Sequence, residues 1–450
     1  MNLDASLPPV IQVQQAPAPT RSLGETVRTT AWKTLVFLWK YTLGALFCLS
    51  IAGSLIIIGW SYRLAQRSAL RYWWARSEYK RKGTRLADHL ARHDPAHEHL
   101  HWPNWFARQN FRKAIQRMEG VSRLSHVWSL LKASFHSLAV NLKTGVQGIF
   151  NTWVLTMPAC ILWLFSWYDG WNNSFNKGYE QAFVGPATGW LGIMLFMAVM
   201  LYLPLAQARQ AVTGDWRSFY NFSFVWGLVR RHWLACLLLA ILTSAFFLPV
   251  MILKTAPAFF GMKDPNFPNT SSKQVIDLLN SYFFYCAFLV FPLYVCLRVI
   301  AARIYARAVL HGVQTGEISV MDLTPKERME LQRLNLIQVN PPRSRHVLLR
   351  VAKSTTSLAF FCAGLFATGL VWFTFVAQIY ISEFLNYHPV IAWLNQPLIQ
   401  LPWFRYVPAH AQNPAGEFFL TILLLSVLFG AFAAAKRIRA FFAQPRRNAL

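Results

Sequence analysis

Acidic residues are scarce in this chain: 18 Asp and Glu stand against 44 Lys and Arg, for a formal net charge of +26. Charge of either sign is sparse too, at 14% of 450 residues. A disordered polybasic chain is excluded, because 55% of the residues are hydrophobic and 15% aromatic. A soluble basic nucleic-acid binder is excluded by a mean hydropathy of +0.30. Cysteine is rare: Cys48, Cys160, Cys236, Cys286, Cys296 and Cys362 all fall in apolar stretches, with no metal or redox spacing. They read as small apolar residues. The sequence has no phosphate-cradling glycine loop, no serine nucleophile elbow and no HExxH pattern. It therefore offers no catalytic motif, and the reading leans away from an enzyme.

What the chain does have is seven long apolar stretches. They run over Leu35–Trp60, Ile149–Tyr168, Gly189–Ala208, Trp233–Leu253, Tyr282–Leu297, Ser354–Tyr380 and Phe418–Ala435. Most approach the ~20 residues that cross a bilayer core as a helix. The expected fold is all-α: a polytopic transmembrane helix bundle with six or seven membrane segments and amphipathic cytoplasmic helices. The fifth stretch is short, and its helix is expected to continue through Arg298-Val299-Ile300-Ala301-Ala302.

The basic residues locate the loops. Ser61–Gly148 holds 16, Arg209–His232 four, Arg298–Lys353 ten and the tail from Lys436 five. The segments 170–188, 254–281 and 381–417 hold five together. With these boundaries no Lys or Arg remains inside a span. The positive-inside rule puts the rich loops and the C-terminus in the cytoplasm, as in a prokaryotic inner membrane. The organisation is then a disordered tail (1–30), a first membrane segment (31–62), a basic cytoplasmic region (63–148) and spans two to five (149–300). A cytoplasmic helical loop (301–353), spans six and seven (354–435) and a basic tail (436–450) follow. The N-terminal tail is not a secretory signal, since no basic n-region or cleavage site accompanies the first apolar stretch. That stretch is basic on both flanks. A single crossing is favoured, with a re-entrant hairpin as the alternative that Gly44, Ser50, Gly53 and Ser54 permit.

Three cytoplasmic elements carry clear patterns. Leu124, Trp128, Leu131, Phe135, Leu138, Leu142 and Ile149 recur at helical spacing, with Arg123, Lys132 and Lys143 off the stripe. They form an amphipathic helix that feeds the second span and lies on the bilayer surface or on the protein's own face. Thr324-Pro325-Lys326-Glu327 starts a helix with a capping box, running to about Ile337 before Pro341-Pro342. Thr213-Gly214-Asp215 with Trp216, Phe219, Phe222 and Leu228 forms a short amphipathic hairpin between spans three and four.

Several of these segments resemble a family of uncharacterised prokaryotic multi-pass membrane proteins, classed as a domain of unknown function. The likeness rests on Gly59-Trp60-Ser61-Tyr62-Arg63, Leu100-His101-Trp102-Pro103-Asn104-Trp105, Leu203 to Arg209, Ala211 to Asp215, and Phe219 to Val225 with Arg230-Arg231. It covers about residues 30–255. Asn104 stands where that family usually has an acidic residue, and the last three spans lie outside it. The resemblance implies a membrane protein and carries over no functional residue.

The densest candidate site is a histidine cluster, His89, His93, His97, His99 and His101, with Asp88, Asp94 and Glu98 among them. His89 and His93 share a helix face, a spacing that suits a divalent transition metal such as zinc. The plainer reading is a solvated loop. Apart from this no cofactor is implied. Ionisable groups are nearly absent from the spans. Asn151, Thr152, Thr243, Ser244, Thr374 and Gln378 are softer polar groups there, and Pro158, Pro204, Pro249 and Pro292 punctuate spans two to five. Anionic lipid is the expected partner of Lys80-Arg81-Lys82 and Arg85, with membrane-protein subunits as further partners and no nucleic acid. The function expected is a scaffold or accessory subunit of a membrane complex, with a small-solute channel or carrier, or a lipid-modifying enzyme, as alternatives. A peptide spanning residues 85–105 tests the metal. If the cluster is a site, calorimetry gives zinc affinity at least tenfold above that of a scrambled peptide; equal affinities leave a solvated loop.

Overall fold

The computed structural model describes residues 23–84, 86, 123–166, 184–260 and 269–337, with positions 358, 362 and 366. Every regular element among them is helical. The helices are α1 (Leu23–Phe47), α2 (Ile51–Trp74), the single turn α3 (Glu78–Arg81), α4 (Arg123–Phe165) and α5 (Val184–Thr213). They continue as α6 (Phe222–Arg231), α7 (Trp233–Thr255), α8 (Ser272–Gln314) and α9 (Pro325–Arg333).

The first apolar stretch is two helices. Cys48 to Ser50 form a turn, and Ser50 caps α2 by accepting from Gly53 N. The Tyr41 ring of α1 lies 6.1 Å from Phe291 of α8, and the Trp60 ring of α2 lies 5.9 Å from it. A straight helix would hold residues 41 and 60 about 28 Å apart. The chain therefore bends at the turn, and both arms converge on one aromatic ring. Tyr41 also donates to the Phe288 carbonyl.

Helix α4 joins the amphipathic stripe and the second apolar stretch in one rod of 43 residues. Helix α8 is equally long, and the fifth apolar stretch is its middle. No proline follows Pro292 before the turn at Thr315-Gly316, so the helix passes the hydropathy boundary at Arg298 as expected. Helix α5 likewise passes Ala208 and ends at Thr213, where Gly214 takes a positive φ of 72°. The span boundaries drawn from hydropathy are thus not helix boundaries, and Arg209 and Arg298 become interior residues of helices. Pro158, Pro204, Pro249 and Pro292 all lie inside helices.

Helix α2 is the hub, packed on α4, α5 and α8. Its contact with α4 is backbone to backbone. A methyl built on Gly59 would lie 1.7 Å from the Asn141 carbonyl oxygen, and one built on Gly145 would lie 1.8 Å from that of Leu55. Only glycine fits at either position, the small-residue approach common between membrane helices. Two apolar cores flank this seam. One gathers Trp73, Tyr202, Leu205, Phe219, Val309 and Leu331. The other gathers Ile57, Trp60, Tyr62, Phe291 and Tyr294. Trp73 is fixed further by donating from Nε1 to the Ala306 carbonyl at 2.9 Å.

The exterior is apolar along whole helix faces. Leu234, Leu238 and Ile241 of α7 are exposed, as are Trp190, Leu191 and Met194 of α5 and Phe150, Val154, Ile161 and Phe165 of α4. A water-facing surface does not carry apolar area of this extent. Gly185–Thr213 and Ser272–Gln314 are long and apolar enough to cross a membrane, and Phe222–Arg231 with Trp233–Thr243, bent by 94°, makes a third if counted as one broken span. The chain is an all-helical membrane protein. Spans six and seven fall outside the described residues.

The glycine seam makes a sharp expectation. Gly59→Ala should lower the stability of the detergent-solubilised protein by about 1–3 kcal/mol, because two backbones must separate. Gly227→Ala, where a methyl would meet only the Arg231 Nη1 at 3.9 Å, should be neutral or stabilising. Thermal unfolding of the two variants measures the contrast.

Candidate functional site

Two buried polar clusters lie beside the apolar cores. The first centres on Glu327, which is fully buried. Thr324 caps α9, and the anticipated capping box is present in full. Glu327 Oε2 accepts from Thr324 N and from Thr324 Oγ1, each at 2.8 Å. Its other oxygen accepts from the Tyr305 hydroxyl of α8. The same Oε1 faces Arg209 Nε of α5 at 3.6 Å, and Arg209 is 1% exposed. A residue read as a helix-start signal thus also ties three helices together.

Arg209 is held mainly by charge and by a ring face. Its guanidinium carbon lies 3.7 Å from the centroid of Phe224 in α6. Nη2 reaches the Asp322 carbonyl at 3.4 Å, while Nε and Nη1 make no hydrogen bond. The carboxylate is therefore what offsets the cost of burying this cation.

The second cluster lies between α2, α4, α5 and α8. Arg298, 9% exposed, donates from Nη1 to Gln207 Oε1 and from Nε to the Tyr294 hydroxyl at 3.0 Å. Gln207 Nε2 donates to Thr152 Oγ1 at 2.8 Å, and that hydroxyl donates to the Gly148 carbonyl. Tyr294 and Ser61 hydroxyls meet at 3.2 Å. Nearby, Asn151 donates to Gln210 Oε1 at 3.1 Å and accepts from Tyr220 at 3.0 Å. Thr243 instead bonds back to the Leu239 carbonyl of its own helix.

The hairpin between α5 and α6 keeps its turn signals, but its apolar stripe divides, Phe219 and Leu228 being buried while Trp216 and Phe222 are exposed. Asp215 accepts from Arg217 N, Thr213 and Ser218 hydroxyls meet at 2.7 Å, and Phe219, Val225 and Leu228 are buried. Asn221 caps α6. Beyond it Arg231 pairs with Glu317 at 3.3 Å on the surface.

The candidate interface residues are less uniform. Trp128, Leu131 and Phe135 are 70%, 45% and 62% exposed, and Leu138 is partly buried. The side chains of Leu124 and Lys132 lie outside the described residues, as does the whole cluster His89, His93, His97, His99 and His101. Cys48, Cys236 and Cys286 are buried free thiols, while Cys296 and Cys362 are exposed.

Sequence reading missed Arg209, Arg298, Gln207 and the tertiary role of Glu327. The available signal was local: Gln207 and Arg209 interrupt an apolar run before Gly214, and so belong to a helix that continues. No protein-family model, no curated protein and no solved structure matches this chain.

Removing the Glu327 charge while keeping its cap isolates the ion pair. Glu327→Gln should cost about 3–5 kcal/mol in unfolding free energy, since Arg209 stays buried without a counter-ion. Arg209→Met combined with Glu327→Met should recover most of it. Denaturant unfolding in detergent checks both.

Proposed function

We propose that this chain is an integral protein of a prokaryotic cytoplasmic membrane that acts as a scaffold or accessory subunit of a membrane complex. The observation that carries this reading is the use made of the buried ionisable groups. Arg209, Glu327 and Tyr305 join α5, α8 and α9, and Arg298 joins α8 to α5. No nucleophile and base converge among them, so their chemistry is cohesion between helices.

The bundle crosses the membrane six or seven times, with the basic loops and the C-terminus in the cytoplasm. The turn at Cys48 to Ser50 favours re-entry of the first segment over a straight crossing. Helix α9 is polar and packs against the end of α5 and α8 that carries the arginines, which suits a cytoplasmic cap on the bundle. The exposed row Trp128, Leu131 and Phe135 leaves an apolar face free for the bilayer surface, with Lys132 near anionic headgroups, or for a partner subunit. A second reading has its own support. Asn151, Thr152, Gln207 and Gln210 form a buried polar seam in helices that carry Pro158 and Pro204, as a solute path would require.

Affinity purification in mild detergent with mass spectrometry separates the two. A scaffold co-elutes with a membrane protein in fixed ratio, and Trp128→Ala with Phe135→Ala reduces that ratio at least several-fold. Elution alone, together with solute flux in reconstituted vesicles, would sink the scaffold reading.

A further inference from the structure

Arg298 lies in the bundle at 9% exposure, and its described partners are all neutral. Among the described residues no Asp or Glu lies within ion-pair distance of it. Its partners are neutral: Gln207 Oε1, the Tyr294 hydroxyl, and the ring faces of Tyr294 and Tyr62 at 5.0 and 5.6 Å from the guanidinium carbon. Arg209, in the neighbouring cluster, has Glu327. A buried cation is costly unless an anion meets it.

A second observation points to the same place. The Tyr62 hydroxyl, on a residue 3% exposed, has no hydrogen-bond partner. A methyl at Gly148 would strike that hydroxyl at 2.7 Å, which sets it against α4 one turn before Thr152. Thr152 holds Gln207, and Gln207 holds Arg298. The orphan donor and the unpaired guanidinium therefore belong to one cluster. The two side chains are neighbours: the Arg298 guanidinium carbon lies 5.6 Å from the centroid of the Tyr62 ring.

Depth identifies the anion. The apolar middle of α8, Tyr282–Leu297, ends immediately before Arg298, so the guanidinium follows the apolar run as headgroup phosphates follow the hydrocarbon. Arg63 and Arg67, both partly buried, follow Tyr62 along α2 and add positive potential on that side. Guanidinium groups match phosphate oxygens in a planar fork.

We propose that Arg298 and Tyr62 bind a phosphate oxyanion between α2 and α8, supplied by an anionic phospholipid headgroup or by free phosphate. The site goes beyond the scaffold reading and does not depend on it, because purified protein alone reports the binding.

The full chain in a maltoside detergent, whose head carries no phosphate, is titrated with phosphatidylglycerol in mixed micelles and, separately, with inorganic phosphate. Thermal unfolding is followed in each. Phosphatidylglycerol should raise the midpoint saturably. Tyr62→Phe should weaken the apparent affinity about tenfold, as expected for one hydrogen bond to a charged group. The same variant should be no less stable than the native chain without ligand, because it deletes an unsatisfied hydroxyl. Arg298→Gln should abolish the response, and Arg298→Lys should restore part of it. An equal saturable rise with inorganic phosphate assigns the site to soluble phosphate. No saturable rise with either source, or an unchanged response in Tyr62→Phe, overturns the proposal; that variant keeps the test decisive should Arg298→Gln fail to fold.

Discussion

The constraint on which the described bundle depends is a contact between two glycines. Where Gly59 and Gly145 let α2 and α4 touch through their backbones, the helix axes are drawn nearer than any side chain would allow. That proximity fixes what surrounds it. It brings Tyr62 on α2 against Gly148 on α4, one turn before Thr152, and α5 and α8 pack on α2 beside that seam. In a bilayer, burial of apolar surface gives helices no reason to prefer one another over lipid. Close backbone packing and internal polar bonds supply the preference instead.

The polar clusters extend that logic. Gln207 bridges Thr152 and Arg298, so three helices share a chain of hydrogen bonds, each polarising the next. Such a network is a demanding arrangement, since every member left unpaired costs more than an apolar replacement would. Its return is specificity: Leu or Val at these positions would tolerate sliding and rotation, while Asn151 held by Gln210 and Tyr220 tolerates neither. Lower in the bundle, Glu327 does the same for a helix too polar to be held by lipid. The capping box freezes the carboxylate, and Arg209 and Tyr305 find it already oriented.

How much of this was legible in the sequence divides by range. Signals within one turn read well. Thr324 and Glu327 announced their cap, Asp215 and Gly214 their turn, and the stripe from Leu124 to Ile149 its helix. The helical class and the membrane setting followed from run length. Longer-range features did not read. Ser50, with Gly44, Gly53 and Ser54, marked where a turn was permitted, but hydropathy averages across Leu49, Ile51 and Ala52, so a single crossing was favoured where two helices exist. Arg209 was assigned to a loop because charge ended the third span, yet α5 runs on to Thr213, while the continuation expected through Arg298 to Ala302 is present and extends to Gln314. Gly145 carries no mark of its meeting with Leu55, since that contact depends on a helix some ninety residues upstream. The candidate site failed to appear for the same reason: its members come from four helices, and none has a local signature.

The ion pair between Arg209 and Glu327 also has a consequence in time. Over a hundred residues separate the two along the chain, and a ribosome adds about 5–20 residues per second. For on the order of ten seconds after α5 is made, Arg209 has no carboxylate to meet. Of the groups that touch the guanidinium in the folded bundle, Phe224 is the first to be made, as α6 follows within the next two dozen residues. The tie between α5, α8 and α9 closes only once that one glutamate, at the start of a short polar helix, has been made.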